Sequence, residues 1–439
     1  MQIERLISDI PFLSPYKWYG KVTRVVGLTI ESKGPQASIG DLCYIIVGKT
    51  NKVKIKAEVV GFRDEYVLLM PLDGIADISP GSLVEATGRP LEIKVGSGLI
   101  GKVIDGCGDL LTDELLPKGL TSFPTDNDPP NPLSRPRIHE RMSLGVRAID
   151  SLFTVGKGQR IGIFAGSGVG KSTLLAMLAK NSAADVNVIA LIGERGREVK
   201  DFIERDLGKE GLSRTVLVVA TSDQPALMRI KGAMTATAVA EYFRNQGLDV
   251  NLMMDSVTRF AMAQREIGLA IGEPPTSKGY TPSVFAMLPR LLERSGTDAK
   301  GSITAFYTVL VDGDDMNEPI ADAVRGILDG HLVLDRKLAN KGQFPAINVL
   351  RSVSRVMSDI VDDEHKKAAN NVREYLSIYD ENEDLINIGA YKRGSSREID
   401  EAIAMHPAII SFLKQETKEE TTLDQSIARL IEEFGRGGS

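Results

Sequence analysis

The segment Ala165-Gly166-Ser167-Gly168-Val169-Gly170-Lys171-Ser172 carries the strongest chemical signal in the chain. Its glycines lack Cβ atoms, so successive backbone N–H groups can turn inward around an anion. Lys171 would neutralise the β- and γ-oxygens of a nucleotide, and the Ser172 hydroxyl would ligate Mg²⁺. The candidate nucleotide contacts are therefore Gly166, Ser167, Gly168, Val169, Gly170, Lys171, Ser172 and Thr173. Ala165 replaces the usual first glycine and is small enough for the turn. The competing reading is a glycine-rich turn that holds no nucleotide.

Two further segments end in carboxylates that could face the same crevice. Asp255 closes the apolar run Val250–Met254 and could hold Mg²⁺ through water. Taken alone, such an Asp is more often a helix cap. Glu194 and Arg195 follow the run Val186–Ile192. Glu194 suits the group that orients an attacking water, and Arg195 could contact a γ-phosphate. The plainer alternative is a surface ion-pair network, which is the expectation for Arg197 with Glu198.

These residues need a sheet to bring them together. Strand-like runs Arg160–Phe164, Val186–Ile192, Thr215–Ala220, Val250–Met254 and Ser302–Val311 alternate with helical stretches such as Thr173–Lys180 and Ala233–Asn245. Such alternation predicts an α/β fold with a parallel sheet and crossover helices. Upstream the pattern is β: Lys52–Val59 alternates polar and apolar without a break, near Lys21–Val26, Asp41–Val47 and Tyr66–Met70, which suggests a small sandwich or barrel. Five prolines between Pro124 and Pro136 mark an extended connector, either a divider or a strap crossing one domain. Ile3, Leu6, Ile7 and Ile10 predict a short amphipathic helix, which would dock on its own domain or serve as a partner-binding arm. Ala402, Ile403, His406, Ile409, Ile410 and Leu413 lie at helical spacing in a helical C-terminal region.

Composition bounds the function classes. The chain has 439 residues, 42% hydrophobic and 26% charged, ordinary for a globular protein with several cores. Two cysteines, Cys43 and Cys107, are too few for a disulfide framework, and four scattered histidines show no metal spacing. No apolar run reaches the ~18 residues of a membrane span, and the N-terminus lacks a signal core, so a cytoplasmic protein is expected. The net charge of −6 argues against indiscriminate nucleic-acid binding. That charge is local: residues 361–439 hold 17 acidic and 10 basic side chains, while the other 360 hold 42 and 43.

Gly193-Glu194-Arg195 and the string Pro345-Ala346-Ile347-Asn348-Val349-Leu350-Arg351-Ser352-Val353-Ser354-Arg355 resemble the alpha/beta subunits of rotary ATP synthases. Thr258-Arg259-Phe260-Ala261, Gly272-Glu273-Pro274-Pro275 and Gly279–Phe285 fit the same family. Phe164–Ser172, Gly313–Pro319 and Asp329-Gly330-His331 are most similar to its flagellar type III secretion export ATPases, with the injectisome branch next. The resemblance implies an N-terminal arm (1–19), a β-barrel (20–90), a RecA-like P-loop ATPase domain (91–360, with the strap 123–136) and a C-terminal helical domain (361–436). The terminal Gly437-Gly438-Ser439 is left out of this division.

Several functional expectations come with that resemblance. It implies an ATP hydrolase using ATP and Mg²⁺, in which Lys171, Glu194, Arg195 and Arg355 are catalytic. Arg355 matches an arginine finger that reaches a neighbour's site in a homo-hexamer. Glu194 decides the class, because the synthase's non-catalytic paralogue carries glutamine there. The stretch Met357–His365 has no aromatic to stack on adenine, which leaves Tyr391 as a weak candidate, and the synthase's acidic lever motif is absent. Implied partners are a regulator at the N-terminal arm, a central coiled-coil stalk protein, export chaperones and substrates, and indirectly a membrane export gate. Asp314, Asp315 and Glu318 would face the ring centre or form a solvated turn. Two other classes compete with this reading. An RNA-dependent hexameric translocase should show a basic-aromatic platform, which residues 1–90 lack, so no nucleic-acid partner is expected. A vestigial ring component would not be expected to keep Lys171, Ser172, Glu194, Asp255 and Arg355 together.

Overall fold

The computed structural model describes residues 18–48, 53–74, 77–311 and 315–435. The helix expected near the N-terminus and Asp314 lie outside the described residues.

Six strands close into a barrel in the order Tyr19–Val26, Thr29–Lys33, Tyr66–Pro71, Val53–Arg63, Asp41–Val47, Leu83–Pro90. Of the two shapes that the β pattern left open, the chain adopts the barrel, which leaves no sheet edge unpaired. Alternation in Val53–Arg63 points Ile55, Ala57 and Val59 into its core. Thr29–Lys33 escaped the pattern because it buries polar residues too. Glu31 and Ser32 are both covered, and Arg63 approaches the Glu31 carboxylate at 3.3 Å. Glu58 faces the other way, toward the next domain, where it pairs with Lys231.

A nine-stranded sheet forms the second layer system. Its order is Val353–Ser354, Gly330–Leu334, Arg160–Ala165, Ser302–Leu310, Asp249–Asp255, Val186–Ile192, Thr215–Ala220, Val103–Ile104, with Gly296–Thr297 beside Ser302–Leu310. All pairings are parallel except those of Val353–Ser354 and Gly296–Thr297. Helices cover both faces, so the strands are mostly apolar; every residue of Val186–Ile192 and Thr215–Ala220 is buried, Asn187 and Thr215 included. Parallel register brings the C-terminal ends of three strands, Ala165, Ile192 and Asp255, to one edge, where ligands of open α/β sheets sit.

The proline-rich stretch runs as a strap over this sheet domain. Arg294 donates to Thr125 O (2.9 Å), Asn127 to Glu241 (2.7 Å), Arg135 to Ser295 O (3.0 Å) and Thr297 to Pro136 O (2.8 Å). Prolines cannot donate, so side chains tie the strap down: Asn127 and Arg135 donate to the domain, and Arg294 and Thr297 donate to strap carbonyls.

Three helices, Asp363–Asn387, Arg397–Leu413 and Leu423–Phe434, form the C-terminal region. Ala402, Ile409 and Leu413 are buried, while Ile403, His406 and Ile410 are half-covered. Phe412 and Phe434 meet edge to face at 5.5 Å, and Arg147 of the sheet domain donates to Phe412 O (3.0 Å) and Lys414 O (3.1 Å). Among the described residues no helix is long and apolar enough to cross a membrane.

Candidate active site

The strand Arg160–Ala165 leads into the glycine-rich turn, and the turn opens the helix Lys171–Asn181. Gly168 and Gly170 adopt φ of 76° and 86°, the left-handed region that side chains resist. Gly170 caps the helix without a side-chain bond, so the first N–H groups are left for a ligand.

Lys171 Nζ donates to Asp255 Oδ1 at 2.5 Å and to Glu194 Oε1 at 3.4 Å. Thr308 Oγ1 donates to the same Asp255 oxygen at 2.8 Å. Two carboxylates from different strand ends thus converge on one ammonium, and Thr308 of a third strand supports one of them. Burial pulls Lys171 down, but Asp255 and Glu194 outweigh it and hold the ammonium above its ordinary value. Burial pushes the Glu194 carboxyl up to about 7; the Asp255 charge adds to this, and Lys171 opposes it. Glu194 is therefore poised to gain or lose a proton near neutrality.

Gly166, Ser167, Gly168, Gly170, Lys171, Ser172, Thr173, Glu194 and Arg195 all line one cleft of ≈ 560 Å³. Val169 is instead buried beneath the turn, among the apolar residues under the helix. The Arg195 side chain is 80% exposed and pairs with Glu198 at 3.0 Å. The expected Arg197–Glu198 pair does not form, and Arg197 lies 3.9 Å from Asp201. On the helix Gly196–Asp201, neighbours in sequence point to different sides, whereas residues four apart share a face.

Two features went unread in the sequence. Arg259 lines the same cleft, and its Nε is buried without a hydrogen-bond partner among the described residues. Its stem packs against Gly193, where a Cβ would stand 2.8 Å from Arg259 Cβ. The signal was available: Arg259 follows Asp255 by four residues, on the first turn of the helix Val257–Ile271. Phe344 is the second. It flanks a ≈ 680 Å³ cleft on the other side of the turn, with Gly170, Thr173, Leu174, Met177 and residues 414–417. Gln415 N donates to Phe344 O at 3.0 Å, which ties the C-terminal region to this cleft. The aromatic next to the phosphate turn thus precedes Arg355 in sequence. Tyr391 is engaged elsewhere: its hydroxyl lies 3.0 Å from each of two acceptors, Ser396 O and Asp400 Oδ1.

Arg355 is exposed and does not line the phosphate cleft of its own chain. Its guanidinium donates to Leu328 O (3.2 Å) and Arg325 O (3.4 Å). Asp315 lies 3.7 Å from Lys278. Among the described residues no group of three or more His, Cys, Asp or Glu side chains forms a metal cage.

Profile comparison divides the chain in three. Residues 22–88 match the β-barrel domain of the ATP synthase alpha/beta family, and 145–354 its nucleotide-binding domain. Residues 361–432 match the T3SS EscN ATPase C-terminal domain. The chain is 69% identical over 431 residues to the Flagellum-specific ATP synthase of Bacillus subtilis, covering 98% of each chain. It is 50% identical to the Type 3 secretion system ATPase of Xanthomonas euvesicatoria, covering 97% of this chain and 96% of that one. Among solved structures, the assembled ATPase EscN from the type III secretion system of enteropathogenic E. coli aligns with a TM-score of 0.88 at 46% identity. That alignment covers 94% of this chain and all of the other. EscN in complex with its central stalk EscO aligns with a TM-score of 0.87 at the same identity, over 94% of this chain and all of the other. With its barrel, its phosphate turn and its C-terminal helices each matched in order, this chain belongs to the ATP synthase alpha/beta family, in the branch of flagellum-specific and type III secretion ATPases.

Proposed function

We propose that this chain is a Mg²⁺-dependent ATP hydrolase whose turnover energises protein export through the flagellar type III secretion apparatus. The observation that carries the chemistry is Lys171 held between Asp255 and Glu194 at the head of the phosphate turn. One ammonium shared by two carboxylates leaves the site one positive charge short, which a cation bound together with a polyphosphate would supply. An entering polyphosphate takes Lys171, and the carboxylates are then released for other work. The turn 166–173 binds the phosphates through its N–H groups. Ser172 and Asp255 offer the hard oxygen donors that Mg²⁺ prefers, and Lys171 and Thr308 both address only Oδ1 of Asp255. When bound there, the ion supplies charge neutralisation at the β- and γ-oxygens.

Glu194 orients the attacking water and accepts its proton as the bond to the γ-phosphoryl forms and the bond to the β-phosphate oxygen breaks, with ADP as the leaving group. Arg195 and Arg259 flank the γ-phosphoryl from the cleft wall, and the unpartnered Nε of Arg259 suits an incoming anion. Phe344 stacks on the base. Arg355, turned away from its own cleft, serves the cleft of an adjacent copy in a homo-hexameric ring, where a guanidinium offsets charge on the transferring group. The name of the 69%-identical relative favours the flagellar over the injectisome setting. A central stalk partner is supported by EscN, which has been solved with its stalk. A regulator at the N-terminal arm, export chaperones at the acidic C-terminal region, and a cytoplasmic place beneath the membrane export gate complete the proposal.

Glu194→Gln tests it. The variant should bind ATP with near-normal affinity and lose turnover by about 10²–10⁴-fold, the usual contribution of a positioned base. Substantial residual hydrolysis would remove Glu194 from this role.

A further inference from the structure

Arg355 stands on a platform tied to the root of its own subunit's phosphate strand. Gln159 precedes the strand Arg160–Ala165 and is fully buried. Its Oε1 accepts from Gly156 N (2.9 Å), and its Nε2 donates to Asp329 O (3.2 Å) and Ser354 Oγ (3.0 Å). Asp329 O also accepts from Arg355 N at 3.0 Å. The Asp329 carboxylate holds Arg160 through Nε (2.9 Å), Nη2 (3.0 Å) and the backbone N (3.1 Å). The guanidinium of Arg355 rests on carbonyls at the C-terminal end of the helix Pro319–Ile327, where the helix dipole favours a cation. There is little slack beneath: a Cβ on Gly330 would meet Val353 O at 2.6 Å.

We propose that Gln159 and Asp329 are positioning residues for Arg355, so that the strand presenting one subunit's phosphate turn also sets the finger which that subunit offers its neighbour. The inference rests on the reading of Arg355 as acting in trans. Gln159 touches no substrate. Its amide has a partner at both ends and is shut off from solvent. Losing the donor leaves Asp329 O to Arg355 N alone and Ser354 Oγ to Thr154 O alone, and so loosens the short strand Val353–Ser354. The phosphate turn lies at the other end of the same strand, six residues away, and is anchored by its own sheet neighbours. A finger displaced by about 1 Å can cost ~10²-fold in rate while substrate binding survives. The strand also gives a rigid link between two sites: what loads its C-terminal end bears on the finger's root at its N-terminal end.

The test uses the full chain carrying Gln159→Met, which keeps length and removes the donor, or Asp329→Asn, which weakens the hold on Arg160. Each variant alone should lose about 10–100-fold in kcat with KM for ATP unchanged. Each is then mixed with Lys171→Ala, whose phosphate turn is disabled and whose finger is intact. Activity should return to the level of an Arg355→Ala plus Lys171→Ala mixture, because the disabled subunit lends its finger to the variant's sound cleft. Normal kcat in the single variants overturns the proposal. So does a loss that mixing fails to restore while the Arg355→Ala mixture is restored, since that places the damage in the variant's own cleft. If the Arg355→Ala mixture itself shows no recovery, the trans reading has failed and this inference falls with it. Should Gln159→Met not fold, the milder Asp329→Asn decides the matter by the same outcomes.

Discussion

Two buried ion clusters in this molecule share their chemistry and differ in access. Under the strap, Arg294 grips Glu241 through two bonds of 2.8 and 2.7 Å and donates a third to Thr125 O, with both side chains nearly inaccessible. In the cleft, Lys171 divides itself between Asp255 and Glu194, and the carboxylates outnumber the cation. The first cluster is complete: each charge has fixed partners, and no ligand can reach it. The second is incomplete by one positive charge, open on one side, and holds a carboxyl displaced to about 7. A closed ion pair specifies how the strap lies. An open, acid-rich one leaves a site whose electrostatics change when an anion arrives.

Breaking each cluster separates these roles. Lys171→Ala should remove nucleotide hydrolysis almost entirely, on the order of 10³-fold or more in kcat, while thermal stability changes little. Unfolding at equal activity loss would show that the open cluster is structural after all. Arg294→Met, which strands Glu241 without its partner, should do the reverse and cost about 3–5 kcal/mol of stability in denaturant unfolding. Its kcat should stay near normal below the new unfolding midpoint; a selective loss of kcat would erase the distinction.

Phe344→Ala sharpens the picture at the far side of the turn. Losing a stacking face costs about 1–3 kcal/mol per base, so KM for ATP should rise roughly tenfold or more with kcat largely kept. Phe344→Tyr should restore it, and no response in KM would move the base elsewhere.

The smallest effect is the pH response of Glu194. Its carboxyl titrates higher in the folded chain than in the unfolded one, so folding takes up a proton between about pH 4.5 and 7. The proton-linked stabilisation is present below that window and fades as pH rises through it. Wild-type chain without nucleotide should therefore lose more stability from pH 5 to 8 than Glu194→Gln does. In turnover the sign is opposite: kcat/KM should climb to a plateau through about pH 7 as the base ionises. A flat profile in both measurements would deny Glu194 its displaced titration.

Much of the site was legible because it is written in short, local patterns. A turn that must face a phosphate needs its glycines and its lysine within eight residues, and a fully buried parallel strand is apolar at nearly every position. Val186–Ile192 and Thr215–Ala220 were read to the residue for that reason. Thr29–Lys33 was not, since its buried Glu31 is tolerable only beside the arginines that other strands supply. Phe344 hid in the same way: it precedes Arg355 by eleven residues, and only the chain's return to the turn makes it the nearest aromatic. The resemblance directed attention beyond Arg355 and on to Tyr391, which the C-terminal region uses for its own loop.

By itself the sequence determined which chemistry was possible here: a phosphate turn at 165–172, two carboxylates at strand ends, and a charge excess confined to the last 79 residues. Only the tertiary structure decided which groups act on one another. It set Asp255 and Glu194 on the same ammonium, turned Arg355 away from its own cleft, and rooted that arginine on Gln159 and Asp329. The physical reason is range. Backbone conformation and burial periodicity are settled by neighbours a few residues apart. Hydrogen bonds and ion pairs between positions 84 or 170 residues apart exist only once the sheet has put its strands in order.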